Sequence, residues 1–423
     1  MPIIAGVAMM GSLATEAYAY PMFGKQTGLD CTACHMQHEP KLNQAGRKFV
    51  WAGMTDSIKT HEAGYTGMED INPSIMFKSM YEETWDKPGK SGGVSTTAET
   101  NGGVWSVPKT ASLLFGGRIN ENLGGLVDFS YKDNYDNSFA AKMIYANEIQ
   151  DGHWGVSIYS GADFGPFSGV EVYNTGLYKP LRTFDIRKLS NAFSAAEINA
   201  DAATGLQLYY ERNGVFGNGD HIFVTAGAYA PAQDQRDMNI GSNVLPFARL
   251  AYEFPVGGFN LMIGAFGING GDTVAANEPL HIKRETYGLD LQLEGSVADF
   301  PVSLVMSKVL KNDVMWTGIG NNHENPEEYT DVDNQGFSVE GEVNVLENLG
   351  LKLAYMTYDD VYPYTKSSHL DALDIADAIT VGMDYSFNVY LPMKLAVEHS
   401  WVNPGLDRVH NWNDFLVSLN ILY

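Results

Sequence analysis

Two thiols and an imidazole lie within five consecutive residues near the N-terminus. The stretch GLDCTACHMQHEP, residues 28–40, contains Cys31, Cys34 and His35, and the 423-residue chain has no other cysteine. Thiolates and imidazoles bind zinc and iron cofactors, and paired thiols also carry out redox exchange. This pattern is therefore the first candidate for chemistry.

Three kinds of site use closely spaced cysteines, and the sequence distinguishes them. A structural zinc site needs four ligands, usually with more thiolates, and no second cysteine pair exists. A thioredoxin-like pair expects a βαβ context and does not use the adjacent histidine. C-x-x-C-H is the attachment pattern of c-type haem. We predict one covalent haem c, with its vinyl groups on Cys31 and Cys34 and with His35 as the proximal iron ligand.

The sixth iron ligand is harder to identify from spacing. Met36 adjoins the proximal histidine and cannot reach the opposite face of the ring. Four later residues are candidates: His38, Met54, His61 and Met68. Methionine generally gives a higher haem potential than histidine. We take Met54 as the possible distal ligand, because the chain has room there to loop over the ring.

The residues before the motif predict export. An apolar stretch from Ile3 to Leu13 leads to Ala17-Tyr18-Ala19, a small-residue cleavage pattern. Export agrees with the haem prediction, since haem c is attached outside the cytoplasm. Residues 1–19 are therefore predicted to be a signal peptide.

Composition argues against a nucleic-acid partner and against a membrane-spanning helix. Asp and Glu outnumber Lys and Arg by 51 to 27, which gives a formal net charge of −24. Such a chain repels phosphates and attracts cations. Charged residues make up only 18% of the chain, below the roughly 25% usual for soluble domains. No run of 18 or more apolar residues follows the N-terminus.

The elements that must position the motif are predicted to be β-strands. From residue 72 onward apolar and polar residues alternate, as in TYGLDLQLEG at 286–295. A period of two puts the two sets on opposite faces of a strand. A soluble sandwich would alternate too. About sixteen such segments are predicted, at 73–83, 109–120, 123–132, 138–147, 153–161, 204–212, 221–230, 246–254, 257–268, 284–294, 298–309, 336–346, 349–359, 376–388, 390–400 and 412–423.

The connections between these segments separate a membrane barrel from a sandwich. They alternate between short turns, such as NENLGG and LENLG, and long gaps, such as 84–108 and 162–203. Short turns at one end, long loops at the other and an even strand number are typical of bacterial outer-membrane barrels. The even count also puts the start of the first strand and the end of the last on the periplasmic side. The 162–203 gap is long enough to fold inward as a constriction.

The C-terminus supports the same architecture. FLVSLNILY carries Phe415, Val417, Leu419, Ile421 and Tyr423 on one apolar face, which resembles the terminal-strand signal of outer-membrane barrels. We predict an all-β, antiparallel outer-membrane barrel of about 16 strands, with lipid outside and polar side chains in the lumen. Four residues are predicted to face the lumen: Lys352, Asp384, Lys394 and Glu398.

The haem-bearing residues are predicted to form a plug. A segment of about fifty residues can hardly bury a haem by itself, whereas the lumen of such a barrel can hold a plug. We therefore divide the chain into a signal peptide (1–19), a monohaem cytochrome c segment inside the lumen (20–71) and a transmembrane barrel (72–423).

Residues 23–55 resemble a known family, the fused monohaem cytochrome–porins of the outer membrane of iron-oxidising bacteria. The shared features are Gln26-Thr27-Gly28, the C-x-x-C-H motif, Pro40-x-Leu42-Asn43, Gly46-Arg47-x-Phe49 and Gly53. The close resemblance covers about residues 24–55, and beyond it only the barrel architecture agrees. The family tends to have an aromatic residue where this chain has Met54.

The resemblance implies electron transfer across the outer membrane. The donor would be extracellular Fe(II) or another redox-active metal, and the acceptor a periplasmic c-type cytochrome, which amounts to iron:cytochrome c oxidoreductase activity. Such transfer needs no catalytic acid or base. Three other hypotheses stay open: the same conduit running outwards to extracellular metal oxides, a solute porin whose plug carries haem, and a redox sensor.

Overall fold

The computed structural model describes residues 21–35, 42–59, 70–85, 103–132, 137–162, 183–196, 202–217, 219–231, 244–271, 280–318, 327–328, 335–359, 375–387, 393–403 and 411–422. Most of these residues belong to sixteen long strands: β1 (Asn72–Trp85), β2 (Val104–Arg118), β3 (Leu123–Lys132), β4 (Asn137–Ile149), β5 (Gly152–Ala162), β6 (Ala202–Asn213), β7 (His221–Pro231), β8 (Leu245–Val256), β9 (Phe259–Gly271), β10 (Leu280–Val297), β11 (Phe300–Gly318), β12 (Gln335–Leu346), β13 (Leu349–Asp359), β14 (Ile375–Ser386), β15 (Met393–Asn403) and β16 (Trp412–Leu422).

The strands close into a barrel. Each pairs antiparallel with its neighbours in the chain, and β1 also pairs with β16, where Met76 lies opposite Leu422. A two-residue strand, Glu327–Glu328, pairs only with the far end of β11. Among the described residues, β1 and β16 pair with each other and so leave no open edge between the first and last strands, which a β-structure in lipid requires. The prediction of a 16-strand antiparallel barrel is confirmed.

The two faces of the wall have opposite chemistry. Along β12, Ser338, Glu340 and Glu342 are buried inside, and the residues between them face outward. Large apolar side chains such as Leu289 and Leu353 are exposed on the outside. The four residues predicted to face the lumen, Lys352, Asp384, Lys394 and Glu398, are all buried. An apolar exterior around a polar interior is the organisation of a barrel in the bacterial outer membrane.

The two ends of the barrel differ in their connections. One end carries short turns, including 119–122 between β2 and β3 and 298–299 between β10 and β11, and the long connections lie at the other. β1 starts and β16 ends at the short-turn end, since Asn72 pairs with Gly116 and Met76 with Leu422. This end faces the periplasm in outer-membrane barrels. The predicted common side for strand start and chain end is confirmed.

Three short helices lie inside the lumen at the short-turn end. They are α1 (Pro21–Thr27), α2 (Cys31–Cys34) and α3 (Gln44–Trp51). We call the described residues 21–35 and 42–59 the plug. Its hydrogen bonds reach the wall at the start of β1, the end of β2 and the ends of β8 and β10. No helix within the described ranges is long and apolar enough to cross a membrane.

A second stretch of chain lies in the lumen between β5 and β6. We call residues 183–196 the constriction segment; it contains a 3₁₀ turn (Arg187–Leu189) and helix α4 (Ala192–Ala195). Lys78 of β1 donates to Asp185 over 2.5 Å, and Ser338 of β12 accepts from Ala192 N over 2.9 Å. The expected inward fold is therefore confirmed for this part of the 162–203 gap.

Candidate functional site

The C-x-x-C-H motif forms a single helical turn held by the chain that follows it. After α2, His35 pairs with Leu42 through the main chain, and Asn43 N donates to Cys34 O over 2.9 Å. The Asn43 side chain donates back to carbonyls of the turn, at 3.1 Å to Ala33 O. The motif is thus closed into a loop by main-chain and side-chain contacts.

Helix α3 packs directly on this loop. The Asn43 Oδ1 atom accepts from Gly46 N over 3.0 Å and caps the helix, a role in which asparagine is favoured. A Cβ atom on Gly46 would lie 2.1 Å from Cys34 O. Only glycine allows this close approach of helix and motif.

A buried glutamine ties α1 to the rest of the plug and to the wall. The Gln26 side chain is fully buried, and its Nε2 donates to Met54 O over 2.8 Å and to Asp56 O over 2.7 Å. Its Oε1 accepts from Arg118 N, at the end of β2, over 3.0 Å. The residues on both sides of the motif are therefore fixed to each other.

A buried arginine anchors the plug to the opposite wall. The Arg47 guanidinium lies 2.6 Å from Glu253 Oε1 of β8 and 3.0 Å from Glu294 Oε1 of β10. It also donates to Leu42 O over 2.7 Å. Burial alone would lower the pKa of Arg47, but the two carboxylates raise it above its usual value. The plug is therefore held in the lumen by charge as well as by apolar packing.

A cavity of about 740 Å³ separates the plug from the wall beside the motif. The plug side includes Cys34 and Phe49, and the wall side includes Arg118 and His153. Burial, with a smaller effect of the Asp56 charge, raises the pKa of the Cys34 thiol. Cofactor sites commonly measure about 300–1,000 Å³, so the cavity is large enough for one.

The lining suits the haem that the motif predicts. Leu29, Phe49 and Ile58 offer apolar surface to a macrocycle, and Cys34 belongs to the same lining. Arg118 also lines the cavity, with one Nη1 bond to Thr55 O at 2.9 Å, and a guanidinium is a suitable partner for a carboxylate. The thiol, the apolar side chains and the guanidinium match a covalently held cofactor with acidic groups, but His35 is not among the described lining residues.

The predicted site residues are placed as follows. Cys34 lines the cavity, Cys31 begins the same helical turn, and His35 is buried directly after it. Met54 is fully buried in an apolar cluster, with a backbone φ of 59°. Among the described residues that line the cavity, neither His35 nor Met54 occurs. The other distal candidates lie outside the described residues: His38, His61 and Met68. Met36, which was excluded as a distal ligand, also lies outside them.

One cluster at this cavity was not predicted. His153 of β5 lines the cavity, and its Nδ1 lies 2.5 Å from Glu211 Oε1 of β6. The other oxygen, Glu211 Oε2, lies 2.6 Å from His221 Nε2 of β7. The His221 ring stacks on Trp51 of the plug, with ring centroids 4.2 Å apart. The alternation could have put His153, Glu211 and His221 on the lumen face, but not next to the motif.

Comparison with known proteins shows resemblance only to solved barrels. No family model and no curated protein matches the chain. OmpT of Vibrio cholerae is 12% identical, covering 85% of this chain and 99% of that one, with a TM-score of 0.46. Salmonella typhi OmpF in complex with daunomycin is 16% identical, with coverages of 84% and 98% and a TM-score of 0.48.

An anion-selective porin from Comamonas acidovorans is also similar. It is 11% identical, covering 84% of this chain and 99% of that one, with a TM-score of 0.46. Because all three identities are low and all three TM-scores are below 0.5, no property of these proteins is carried over to this chain.

Proposed function

We propose that this outer-membrane barrel carries one covalent c-type haem at the periplasmic end of its lumen and works in electron transfer. One observation carries the proposal: the C-x-x-C-H turn belongs to a plug inside the barrel, with Cys34 on a cavity of about 740 Å³. Cys31 and Cys34 hold the haem, and His35 is its proximal iron ligand. When bound, the haem supplies one-electron oxidation and reduction of its iron.

The residues of the plug and wall position the cofactor and shield it. Leu29, Phe49 and Ile58 would contact the macrocycle, and Arg118 would pair with one of its carboxylate groups. Gln26, Asn43 and Arg47 act indirectly, because their hydrogen bonds and ion pairs keep the motif in place. No residue has to move a proton in a one-electron transfer.

The position of the cavity favours exchange with a periplasmic partner. Glu121 and Glu148 are exposed residues of its lining, and both lie at the short-turn end. A soluble c-type cytochrome that docks at this end would come close to the cavity beside Cys34. The net charge of −24 attracts cations such as Fe(II). We propose transfer inwards, from extracellular ferrous iron to a periplasmic cytochrome; transfer outwards to metal oxides would use the same geometry.

The first test is to look for covalent haem and to measure its potential. Purified, detergent-solubilised protein is denatured and assayed for haem that remains on the chain, together with Cys34→Ser. Thr32→Ser serves as a matched control, because it changes an exposed residue of the same turn. We expect one haem per wild-type and control chain and impaired attachment in the cysteine variant. A wild-type barrel from a host that matures c-type cytochromes but without covalent haem would refute the proposal.

The direction of electron transfer is tested on the same preparation. A redox titration is followed by stopped-flow mixing of the oxidised protein with ferrous iron. A potential above that of the ferrous donor and fast reduction by it support inward transfer. A low potential, no reduction by ferrous iron and fast oxidation by ferric species would reverse the direction.

A second candidate function is solute permeation through a haem-plugged porin. It is favoured by the constriction segment, which narrows the lumen and is held to the wall by Lys78–Asp185 and by Glu398. Stable ion conductance of the haem-loaded protein in planar bilayers would support permeation. A closed lumen would leave electron transfer as the function.

A further inference from the structure

We propose that the lumen wall binds a hard divalent cation, such as Ca²⁺, beside Gly350 of β13. The proposed ligands are Glu342 and Asn344 of β12 and Asp384 of β14. Hard cations are bound by the oxygens of carboxylates, amides and water, and this part of the wall offers the first two. None of these residues takes part in the proposed electron transfer, so the inference goes beyond that function and does not depend on the haem.

The strand register puts the three ligands around one gap in the wall. Asn344 pairs with Gly350, and Gly350 pairs with Asp384, so the glycine lies between them in a row across three strands. Glu342 lies two residues before Asn344 on β12 and is buried on the same face. Because glycine has no side chain, its neighbours can approach the backbone closely there.

Three side-chain oxygens converge on this gap. The position that a Cβ atom on Gly350 would take marks it. That position is 2.5 Å from Asp384 Oδ1, 2.8 Å from Glu342 Oε1 and 3.1 Å from Asn344 Oδ1. Asp384 is only 9% exposed, and its Oδ1 atom is buried without a hydrogen-bond partner. Such an oxygen is costly to bury, and a second carboxylate beside it adds repulsion. A cation between the oxygens would offset both effects.

A similar gap elsewhere in the wall already contains a cationic side chain. At Gly264 of β9, a Cβ atom would lie 2.5 Å from Asp290 Oδ1 and 2.7 Å from Arg249 Nη2. Arg249 of β8 and Asp290 of β10 form a buried ion pair across that glycine. At Gly350 the three nearest atoms are all oxygens. The comparison indicates that the gap at Gly350 has the anionic part of such an arrangement without its cation.

Two lysines lie near the gap without filling it. Lys352 Nζ donates to Thr183 O over 2.6 Å and to Glu398 Oε1 over 3.0 Å. Lys394 Nζ is 3.8 Å from Asp384 Oδ2, which is longer than a hydrogen bond. Among the described residues, no group of three or more His, Cys, Asp and Glu side chains could hold a metal ion. The proposed site therefore relies on two carboxylates, one amide and water for its ligands.

The test measures Ca²⁺ binding to the purified full-length barrel in detergent, by equilibrium dialysis after chelator treatment. We expect Asp384→Asn and Glu342→Gln to lose this ion or to bind it about tenfold more weakly, because affinity follows the charge of the ligands. Glu347→Gln is the matched control, since it removes a negative charge from an exposed residue of the adjacent turn, and it should bind like the wild type. Lys394→Met should bind more tightly, because it removes a positive charge near Asp384.

Two glycine variants test the geometry without changing any charge. Gly350→Ala puts a methyl group into the gap, and the oxygens there belong to side-chain ends that can move aside, so we expect it to fold and to lose the ion. Gly341→Ala on β12 is the control, because a Cβ atom there would lie 3.7 Å from Leu304 Cδ1 and 3.8 Å from Ser303 O. Added Ca²⁺ should raise the unfolding temperature of the wild type and of Gly341→Ala more than that of Gly350→Ala.

The outcomes separate this inference from the proposed function. Equal Ca²⁺ binding by the wild type, Asp384→Asn and Gly350→Ala would overturn the inference and assign the bound ions to other acidic residues. Absence of Ca²⁺ binding in the wild type would also overturn it. If Asp384→Asn fails to fold, Glu342→Gln and Gly350→Ala provide the comparison. Absence of covalent haem would refute the electron-transfer proposal and leave the cation site unaffected.

Discussion

At the residue scale, Gly46 explains how helix α3 packs closely against the C-x-x-C-H motif. Its missing side chain lets α3 contact the carbonyl of Cys34, where a Cβ atom would come within 2.1 Å. We expect Gly46→Ala to displace the motif turn and to lose most covalent haem, measured as haem per barrel after denaturation. The exposed neighbour Ala45 provides the control, as Ala45→Ser should load normally. Equal loading of both variants would show that the close packing is not needed.

Arg47 gives a second prediction at this scale. Replacing it by methionine leaves the carboxylates of Glu253 and Glu294 buried without their cation, and breaking a buried ion pair costs roughly 3–5 kcal/mol. We expect Arg47→Met to loosen the plug, measured as faster chymotryptic cleavage within residues 44–59. Lys48→Met changes the next, half-buried residue and should leave the cleavage rate as in the wild type. An unchanged cleavage rate in Arg47→Met would mean that apolar packing alone anchors the plug.

At the scale of elements, the wall was more predictable than the contents of the lumen. All sixteen predicted strands exist, because every wall residue faces either lipid or lumen and the period of two survives in the sequence. The predicted strand ends were less accurate than the strands themselves. β2 starts at Val104, whereas the prediction began at 109, and β11 continues to Gly318, whereas the prediction ended at 309. Both differences lie at the long-loop end of the barrel.

The contents of the lumen depend on contacts that local periodicity does not encode. Arg47 and Glu253 are 206 positions apart, and Asp185 and Glu398 are 213 apart. The motif and the presence of a plug were predictable, since the five-residue pattern is specific and the segment is too short to fold alone. The strands that bind the plug were not predictable, because a charged residue facing the lumen on any of the sixteen strands could have paired with it.

Glu398 is the element-scale link between wall and constriction segment. Its carboxylate accepts from Asp185 N at 2.9 Å and Ile186 N at 2.9 Å, and it lies 3.0 Å from Lys352 Nζ. We expect Glu398→Gln to weaken these contacts and to raise single-channel conductance in planar bilayers. The more exposed pair Glu82–Lys109 supplies the control, because Glu82→Gln should change conductance little. Identical conductance in both variants would mean that another contact holds the segment.

Acid should release the constriction segment from the wall within a defined pH range. Burial raises the pKa of Asp185, but Lys78, Ser418 and the more distant Lys394 outweigh it and lower this pKa to about 2, from an ordinary value of 3.8. A depressed pKa stabilises the folded state above pH 3.8, and that stabilisation is lost as pH falls towards 2. We therefore expect conductance to stay constant down to about pH 4 and then to rise.

Two variants test the assignment to Asp185. Lys78→Met removes the main cation, so the transition should move to higher pH as the pKa of Asp185 rises. Asp185→Asn removes the titrating group, although the nearby Glu398 carboxylate remains. A transition at the same pH in the wild type and in both variants would exclude Asp185 as its source.

At the scale of the whole molecule, the lumen is divided between its two occupants. The plug bonds to β1, β2, β6, β8 and β10 near the short-turn end. The constriction segment contacts β1 and β9 to β16 on the other part of the wall. The cavity beside Cys34 lies at the short-turn end. The proposed transfer from an extracellular donor therefore depends on the orientation of the barrel in the membrane.

That orientation gives the last prediction. Phe216 is 79% exposed in the short turn between β6 and β7, and Val104 is 54% exposed at the opposite end of the barrel. With short turns in the periplasm, a membrane-impermeant maleimide should label Val104→Cys in intact cells. Phe216→Cys should react only after the outer membrane is permeabilised, with the parent chain as background. Labelling of Phe216→Cys but not Val104→Cys in intact cells would invert the barrel and put the cavity beside Cys34 at the cell surface, where an extracellular donor would meet it directly.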